Sequence, residues 1–329
     1  MTEEVKTVRD PLLVITAPAR VPTLGEDFAA YDTALVDACE AELRRRGWRV
    51  KETANVRLMD HRFAGSDAAR AAGLQEAFDE VDADVILCLR GGYGTARLLP
   101  KIDWERAGAS CAAFVGLSDT TAVNCALYAV TGKASWQGPV ARAFRLVNPA
   151  RDAAFEAALM SETFHLKASV TGEAFNAGGI FWGGNLAILT SLVGTPWFPK
   201  IDGGILYVED VAEPAWRIER MLLQLIQAGV LTRQRALIVG GMTGADKTAG
   251  EGAGRFSLSD ALAWIRREAK IPVASGLRFG HLADTLTLPF GVESDVASDG
   301  SSLTVTAYGC ASPASLPWRE APPADLWWH

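Results

Sequence analysis

Three short apolar runs, each closed by glycine or another turn residue and separated by helix-like segments, constrain the fold more than any other feature of this chain. They are LeuLeuValIleThrAla at 12–17, ValIleLeuCysLeu at 85–89 and AlaAlaPheVal at 112–115. Continuous apolar runs of this length read as strands buried on both faces. Helical periodicity falls near 27–47, 67–80 and 120–131. Strands alternating with helices in this way predict a parallel sheet covered by helices, an α/β fold. In such folds ligands collect beyond the carboxyl ends of the strands. Three distinctive turns fall there: AlaProAla at 17–19, ArgGlyGlyTyrGly at 90–94, and the turn around Ser118.

The turn at 115–121 reads ValGlyLeuSerAspThrThr and places one hydroxyl between a strand and a helix. Val123, Ala126, Leu127 and Val130 follow at helical spacing, up to Gly132. Ser118 is therefore expected at a helix N-terminus, where free N–H groups and the helix dipole favour an anion. A serine there also serves as an ordinary N-cap. The segment departs from a full Gly-x-Ser-x-Gly elbow, since Thr120 stands at the second glycine position. The adjacent glycines of 90–94 let a backbone approach a ligand closely and aim N–H groups at it. Their spacing matches neither a dinucleotide loop nor a P-loop.

With 329 residues, 49% of them hydrophobic, the chain can bury the core of two domains. A net charge of −7 argues against a nucleic-acid backbone as partner. The ArgArgArg cluster at 44–46 reads as the solvated end of a helix. Five scattered cysteines, with no CxxC pair, point to neither a disulfide framework nor a zinc site, and Cys88, Cys111 and Cys125 are expected as small buried hydrophobes. No signal peptide or membrane-length run is evident. A cytoplasmic enzyme without metal or cofactor, unattached to membrane, is the expectation.

Periodicity weakens between about 145 and 175, which places an N-terminal domain at 1–150, a linker at 151–175 and a C-terminal α+β domain at 176–329. The latter opens on GlyGlyIlePheTrpGlyGlyAsnLeu at 178–186 and continues with a strand at 203–210 that ends in two acids, Glu209 and Asp210. A helix from about 213 follows, then strands near 236–240 and 271–275. A serine nucleophile needs a base, and four histidines are present. His61 and His165 lie in surface-like or weakly patterned stretches and His329 is terminal, leaving His281, set among glycines and a proline, as the best candidate.

Taken in order, the motifs resemble the LD-carboxypeptidase family, which also contains the microcin C immunity peptidases. In the N-terminal half these are ArgGlyGlyTyrGly with ArgLeuLeuPro, GlyLeuSerAsp, and GlyProVal at 138–140. In the C-terminal half they are GlyGlyAsnLeu with GlyThrPro, IleLeuTyrValGluAsp with GluPro and ArgIleGluArgMetLeu, and GlyHis with ThrLeuProPheGly. The resemblance runs from about 12 to 292. It implies a metal-independent Ser/Glu/His hydrolase in which Ser118 is the nucleophile, His281 the base and Glu209 the carboxylate that orients it. It also implies an oxyanion hole from the N–H groups of Gly92 and Asp119, with a side chain at Gly92 obstructing the approach of the carbonyl oxygen. The implied architecture is a flavodoxin-like or amidotransferase-like N-terminal domain plus a smaller β-rich swivelling domain, in a homodimer. The implied reaction is release of D-alanine from murein tetrapeptide.

Ala19 and Gln137 depart from the common pattern, where relatives often carry serine and histidine, and both are expected in the substrate pocket. A substrate carboxylate calls for a cation, and Arg90, Arg97, Arg217 and Arg220 are available. A peptidyl-nucleotide substrate would instead draw on Trp136, Trp182 or Trp216 for stacking. A third reading is a non-catalytic module that holds an anion on the glycine turns. The aromatic ending, with Trp327 and Trp328, is expected to bury on the domain or on another subunit.

Overall fold

In a computed structural model of the chain, residues 10–24, 30–246 and 256–310 are described, together with the backbone of 327–328. The protein is a mixed α/β structure built on two large sheets. In the first, Ser135–Gln137, Ala113–Gly116, Val85–Cys88, Leu12–Thr16 and Arg49–Glu52 lie side by side, all parallel. Every residue of the three runs read from the sequence is buried, as parallel strands covered on both faces require. The helices beside them are Thr33–Arg45, Asp67–Asp79 and Thr121–Thr131. The first starts later than its periodicity implied, because Ala30–Tyr31 pairs with Thr23–Leu24 and Asp32 caps the helix through the Leu35 N–H.

The second sheet has nine strands among the described residues. Ala174–Asn185, Ile205–Val211, Ala236–Thr243 and Val273–Ser275 run parallel, while Val292–Asp299, Ser302–Tyr308 and Thr163–Ser169 extend it antiparallel. Helices Ala215–Gln227 and Leu258–Ala269 pack together beside it.

Residues 151–175, expected as a linker, are regular structure. Pro149–Met160 is a helix started by Pro149 and by Asn148, whose side chain accepts from the Arg151 N–H. Its charged residues are buried as well as its apolar ones: Arg151 pairs with Asp152, and Arg46 with Glu156. Those buried charges erased the amphipathic signal. The strand Thr163–Ser169 then alternates buried and exposed residues. The two sheets also share a crossing, because Leu288–Phe290 returns from the C-terminal half to pair antiparallel with Ser135–Gln137.

Cys88 and Cys125 are buried as expected, whereas Cys111 is exposed, since it precedes its strand instead of lying in it. Of the aromatic ending, only the backbone of Trp327–Trp328 falls among the described residues, parallel to Thr163–Ser169. Among the described residues no helix is long and apolar enough to cross a membrane.

Candidate active site

Ser118 sits where the strand Ala113–Gly116 turns into the helix Thr121–Thr131, with φ +64°. A left-handed conformation costs a non-glycine residue about 1–2 kcal/mol, so the surroundings must impose it. It is not a helix N-cap. The bonds that hold the turn come from Thr120, whose hydroxyl accepts from the Leu117 N–H at 2.8 Å and donates to the Leu117 carbonyl at 2.9 Å. Thr120 thus replaces the second elbow glycine with a side chain the turn uses. Gly116 makes room for it, since a Cβ there would stand 2.6 Å from that hydroxyl.

The Asp119 carboxylate points back to the glycine turn and accepts from the Thr95 N–H at 2.9 Å and the Thr95 hydroxyl at 2.6 Å. Burial pushes this carboxyl up, and the Thr95 bonds oppose the shift. The elbow and the glycine turn are therefore one unit. A Cβ on Gly91 would come within 2.7 Å of the Ser118 Cβ, so this glycine is the one that clears the Ser118 side chain. Gly92 has φ +131°, closed to other residues, and its Cβ would strike the Arg20 side chain at 2.6 Å. The obstruction expected there falls on Arg20.

On the other side, Asn185 ends the strand Ala174–Asn185 in register with Glu209. A register shift between Val208 and Asp210 disturbs the strand at Glu209, and such irregularities re-aim side chains. Asn185 Nδ2 donates to Glu209 Oε1 at 3.2 Å and to Asp210 Oδ1 at 3.0 Å. Burial, with the adjacent Glu209 charge, pushes the Asp210 carboxyl up to about 6, against the opposing bonds of the Val211 and Ala187 amides.

Glu209 is wholly buried, and its Oε2 lies 2.7 Å from His281 Nδ1. Gly280 has φ +123° and a Cβ there would stand 2.8 Å from that oxygen, so only glycine lets the carboxylate in. The loop is fixed by the bonds Gly241 N–H to Phe279 O and Gly280 N–H to Thr285 Oγ1. With Nδ1–H donated to Glu209, Nε2 is left as the ring's basic nitrogen. Burial lowers the imidazole pKa, but the hydrogen bond and charge of Glu209, aided by Asp210, outweigh it and hold it above the ordinary histidine value.

The two halves are tied at Thr121, three residues after Ser118, whose hydroxyl accepts from the Asn185 N–H at 3.1 Å and from Gln137 Nε2 at 3.1 Å. The structure thus joins Glu209 to His281 directly and brings the elbow to them through Thr121 and Asn185. Among the described residues no hydrogen bond joins the Ser118 hydroxyl to His281. Gln137 and Ala19, expected in a substrate pocket, are both fully buried, and Gln137 braces Thr121 and Asn124. His61 is exposed, and His165 lies on the strand Thr163–Ser169 beside Thr306. His329 is outside the described residues. Sequence reasoning missed the carboxylate of Asp119 and the side chain of Asn185. Asn185 had a legible signal, a capping residue directly before the apolar run 186–189.

A strained serine on an elbow, tied through buried bonds to a carboxylate-held imidazole, is the equipment of a two-domain α/β serine hydrolase. Family models described as the LD-carboxypeptidase N-terminal and C-terminal domains match residues 15–138 and 178–296. The solved muramoyltetrapeptide carboxypeptidase of Oxalobacter formigenes is 31% identical and superposes with a TM-score of 0.81, over 90% of this chain and 98% of its own. The murein tetrapeptide carboxypeptidase of Pseudomonas aeruginosa is 29% identical over 80% of this chain and 88% of its own. The microcin C7 self-immunity protein of Escherichia coli is 26% identical over 80% of this chain and 86% of its own. The chain belongs to the LD-carboxypeptidase family.

Proposed function

We propose that the protein is a serine carboxypeptidase that hydrolyses an L,D-peptide bond and releases the terminal D-alanine of a murein tetrapeptide. Ser118 attacks the scissile carbonyl while His281 Nε2 takes its proton, and Glu209 fixes the tautomer and stabilises the imidazolium. The amides of Gly92 and Asp119 receive the oxyanion. The imidazole then protonates the leaving amine, and water attacking by the same route frees the acyl group. The Ser118–His281 hydrogen bond forms in the substrate complex, a tightening common among catalytic pairs that are long in the free enzyme. Under this reading an N-terminal nucleophile domain, 1–150, works with a C-terminal domain, 176–329, that supplies acid and base.

The observation that carries the reading is the 2.7 Å contact between His281 and a carboxylate buried behind it. A non-catalytic anion-binding module leaves that pair without a task. A nucleotide substrate, the kind suggested by the immunity-protein relatives, would need an aromatic platform. Trp136 and Trp182 are packed in the core, and Trp216 carries Arg220 over its ring. The cytoplasm, metal independence and a homodimer belong to the same proposal, the dimer being readable by light scattering.

The test is to incubate the purified protein with murein tetrapeptide and, separately, with aspartyl-sulfamoyl adenosine, following amino-acid release with and without chelator. D-alanine release that is unaffected by chelator and lost in Ser118→Ala is expected. Release only from the nucleoside transfers the reading to the immunity peptidases, and binding of either compound without turnover overturns both.

A further inference from the structure

Of the four arginines offered by the sequence for a substrate carboxylate, three are engaged elsewhere. Arg97 pairs with Asp67 at 2.8 Å, Arg217 with Glu213 at 3.0 Å, and Arg220 lies 5.0 Å over the ring of Trp216. Among the described residues Arg90 reaches only carbonyl oxygens, Gly91 O at 3.3 Å and Val21 O at 3.4 Å, both long for hydrogen bonds. The fold brings it a companion that the sequence did not single out. Arg142, on the turn Ala141–Arg145, is half-buried, and its guanidinium makes no hydrogen bond or ion pair with any described residue.

The turn that carries Arg142 is strung between the two halves of the site. At one end the Arg142 N–H donates to the Leu89 carbonyl at 2.9 Å, beside Arg90. Beyond the other end, Asn148 Nδ2 donates to the Ala283 carbonyl at 3.1 Å, two residues past His281. Arg90 in turn precedes Gly91, whose missing side chain clears Ser118. Burial and the positive charges of Arg142, Arg20 and Arg62 push the Arg90 guanidinium down to about 10. The Arg142 charge also reaches the His281 ring, opposing its protonation. The guanidinium groups of Arg90 and Arg142 are both half-buried and neither pairs with an anion among the described residues, an arrangement that is costly unless a ligand supplies one.

The leaving residue of a carboxypeptidase carries that anion. Its carboxylate is one carbon atom from the scissile nitrogen, so it must lie within a few ångströms of the nucleophile and base. We infer that Arg90 and Arg142 form the subsite for the α-carboxylate of the leaving residue, and that they make a free C-terminus a condition of productive binding. This rests on the reading of the site as a carboxypeptidase. A guanidinium fork suits the task, because it offers paired donors in the plane of a carboxylate.

The test compares murein tetrapeptide with its C-terminal amide, by calorimetric binding to Ser118→Ala and by turnover in the active protein. Ser118→Ala should bind the acid about 10–100-fold more tightly than the amide, the range of a charged hydrogen bond. Adding Arg142→Gln or Arg90→Gln should remove most of that preference while circular dichroism stays unchanged, and Arg142→Lys should restore part of it. Equal affinity for acid and amide in Ser118→Ala, or a preference that survives both glutamine variants, overturns the subsite. Failure of the carboxypeptidase reading shows separately, as absent D-alanine release by the active protein.

Discussion

The elbow that holds Ser118 and the loop that holds His281 solve the same problem, fixing one side chain, by opposite means. The elbow is built from backbone conformation, from the Thr120 hydrogen bonds within the turn and from those of Asp119 to Thr95 in the neighbouring glycine turn. It stores strain in a φ of +64°. The histidine is placed by a carboxylate 72 residues earlier in the chain, across the sheet, and remains partly open to solvent with 27% of its side chain exposed. Ser118 is thus held by backbone geometry and local hydrogen bonds, and His281 by charge. Two neighbouring turns of the N-terminal half set the first, whereas the second exists only after Asn185, Glu209 and Gly280 have met in the folded chain.

If that contrast is right, removing the reacting atoms costs most and removing the charge that positions them costs less. Ser118→Ala and His281→Ala should each lower kcat on the order of 10⁶-fold, because the two act as a unit. Glu209→Gln keeps the size of the side chain and should cost about 10⁴-fold, the loss expected when the wrong tautomer is favoured. Single-turnover rates on the tetrapeptide measure all three. A His281→Ala loss near tenfold would break the comparison by removing the imidazole from the chemistry.

A second prediction isolates the charge. His281 must be neutral to act as base, so kcat/KM should rise with pH through its pKa, with the midpoint above the ordinary value of about 6.5. Glu209→Gln removes the charge and replaces the carboxylate acceptor with a weaker, neutral amide oxygen, so the midpoint should move to lower pH. The sign for stability is the reverse. A folded-state pKa raised above the unfolded one contributes stability that is fully present below about 6.5 and is lost as pH rises through the folded value. An unchanged midpoint in Glu209→Gln would show that the 2.7 Å contact does not set the base.

The same contrast explains what could be read in advance. The buried strands and the elbow were legible because their signals, continuous apolar runs and a serine between strand and helix, are local. Helix Pro149–Met160 was not, since Arg151, Asp152 and Glu156 are buried in pairs and mimic a solvated stretch. Leu288–Phe290 was hidden by Pro289, which is tolerated there because the strand lies at a sheet edge. The His281–Glu209 pairing came from the ordered motifs alone, and no spacing rule reaches across that separation. Arg142 carried no motif at all, and only the turn between Leu89 and Ala283 gives it a place.

The smallest expected effect tests the strain directly. Glycine enters the left-handed region without the penalty that serine bears, so Ser118→Gly should relieve most of the 1–2 kcal/mol stored at the elbow. Part of that gain is offset by the greater freedom of glycine in the unfolded chain, about 0.5–1 kcal/mol. The net should be a stabilisation of up to about 1 kcal/mol in an inactive protein. At His281 no positive φ is present to relieve. His281→Gly removes the partner of a buried carboxylate that keeps, among the described residues, only Asn185, and should cost about 1–3 kcal/mol. Denaturant titrations of the two variants at pH 6 should therefore move in opposite directions. A shift in the same direction would mean that the elbow is relaxed by its surroundings, and that charge rather than backbone geometry governs both halves of the site.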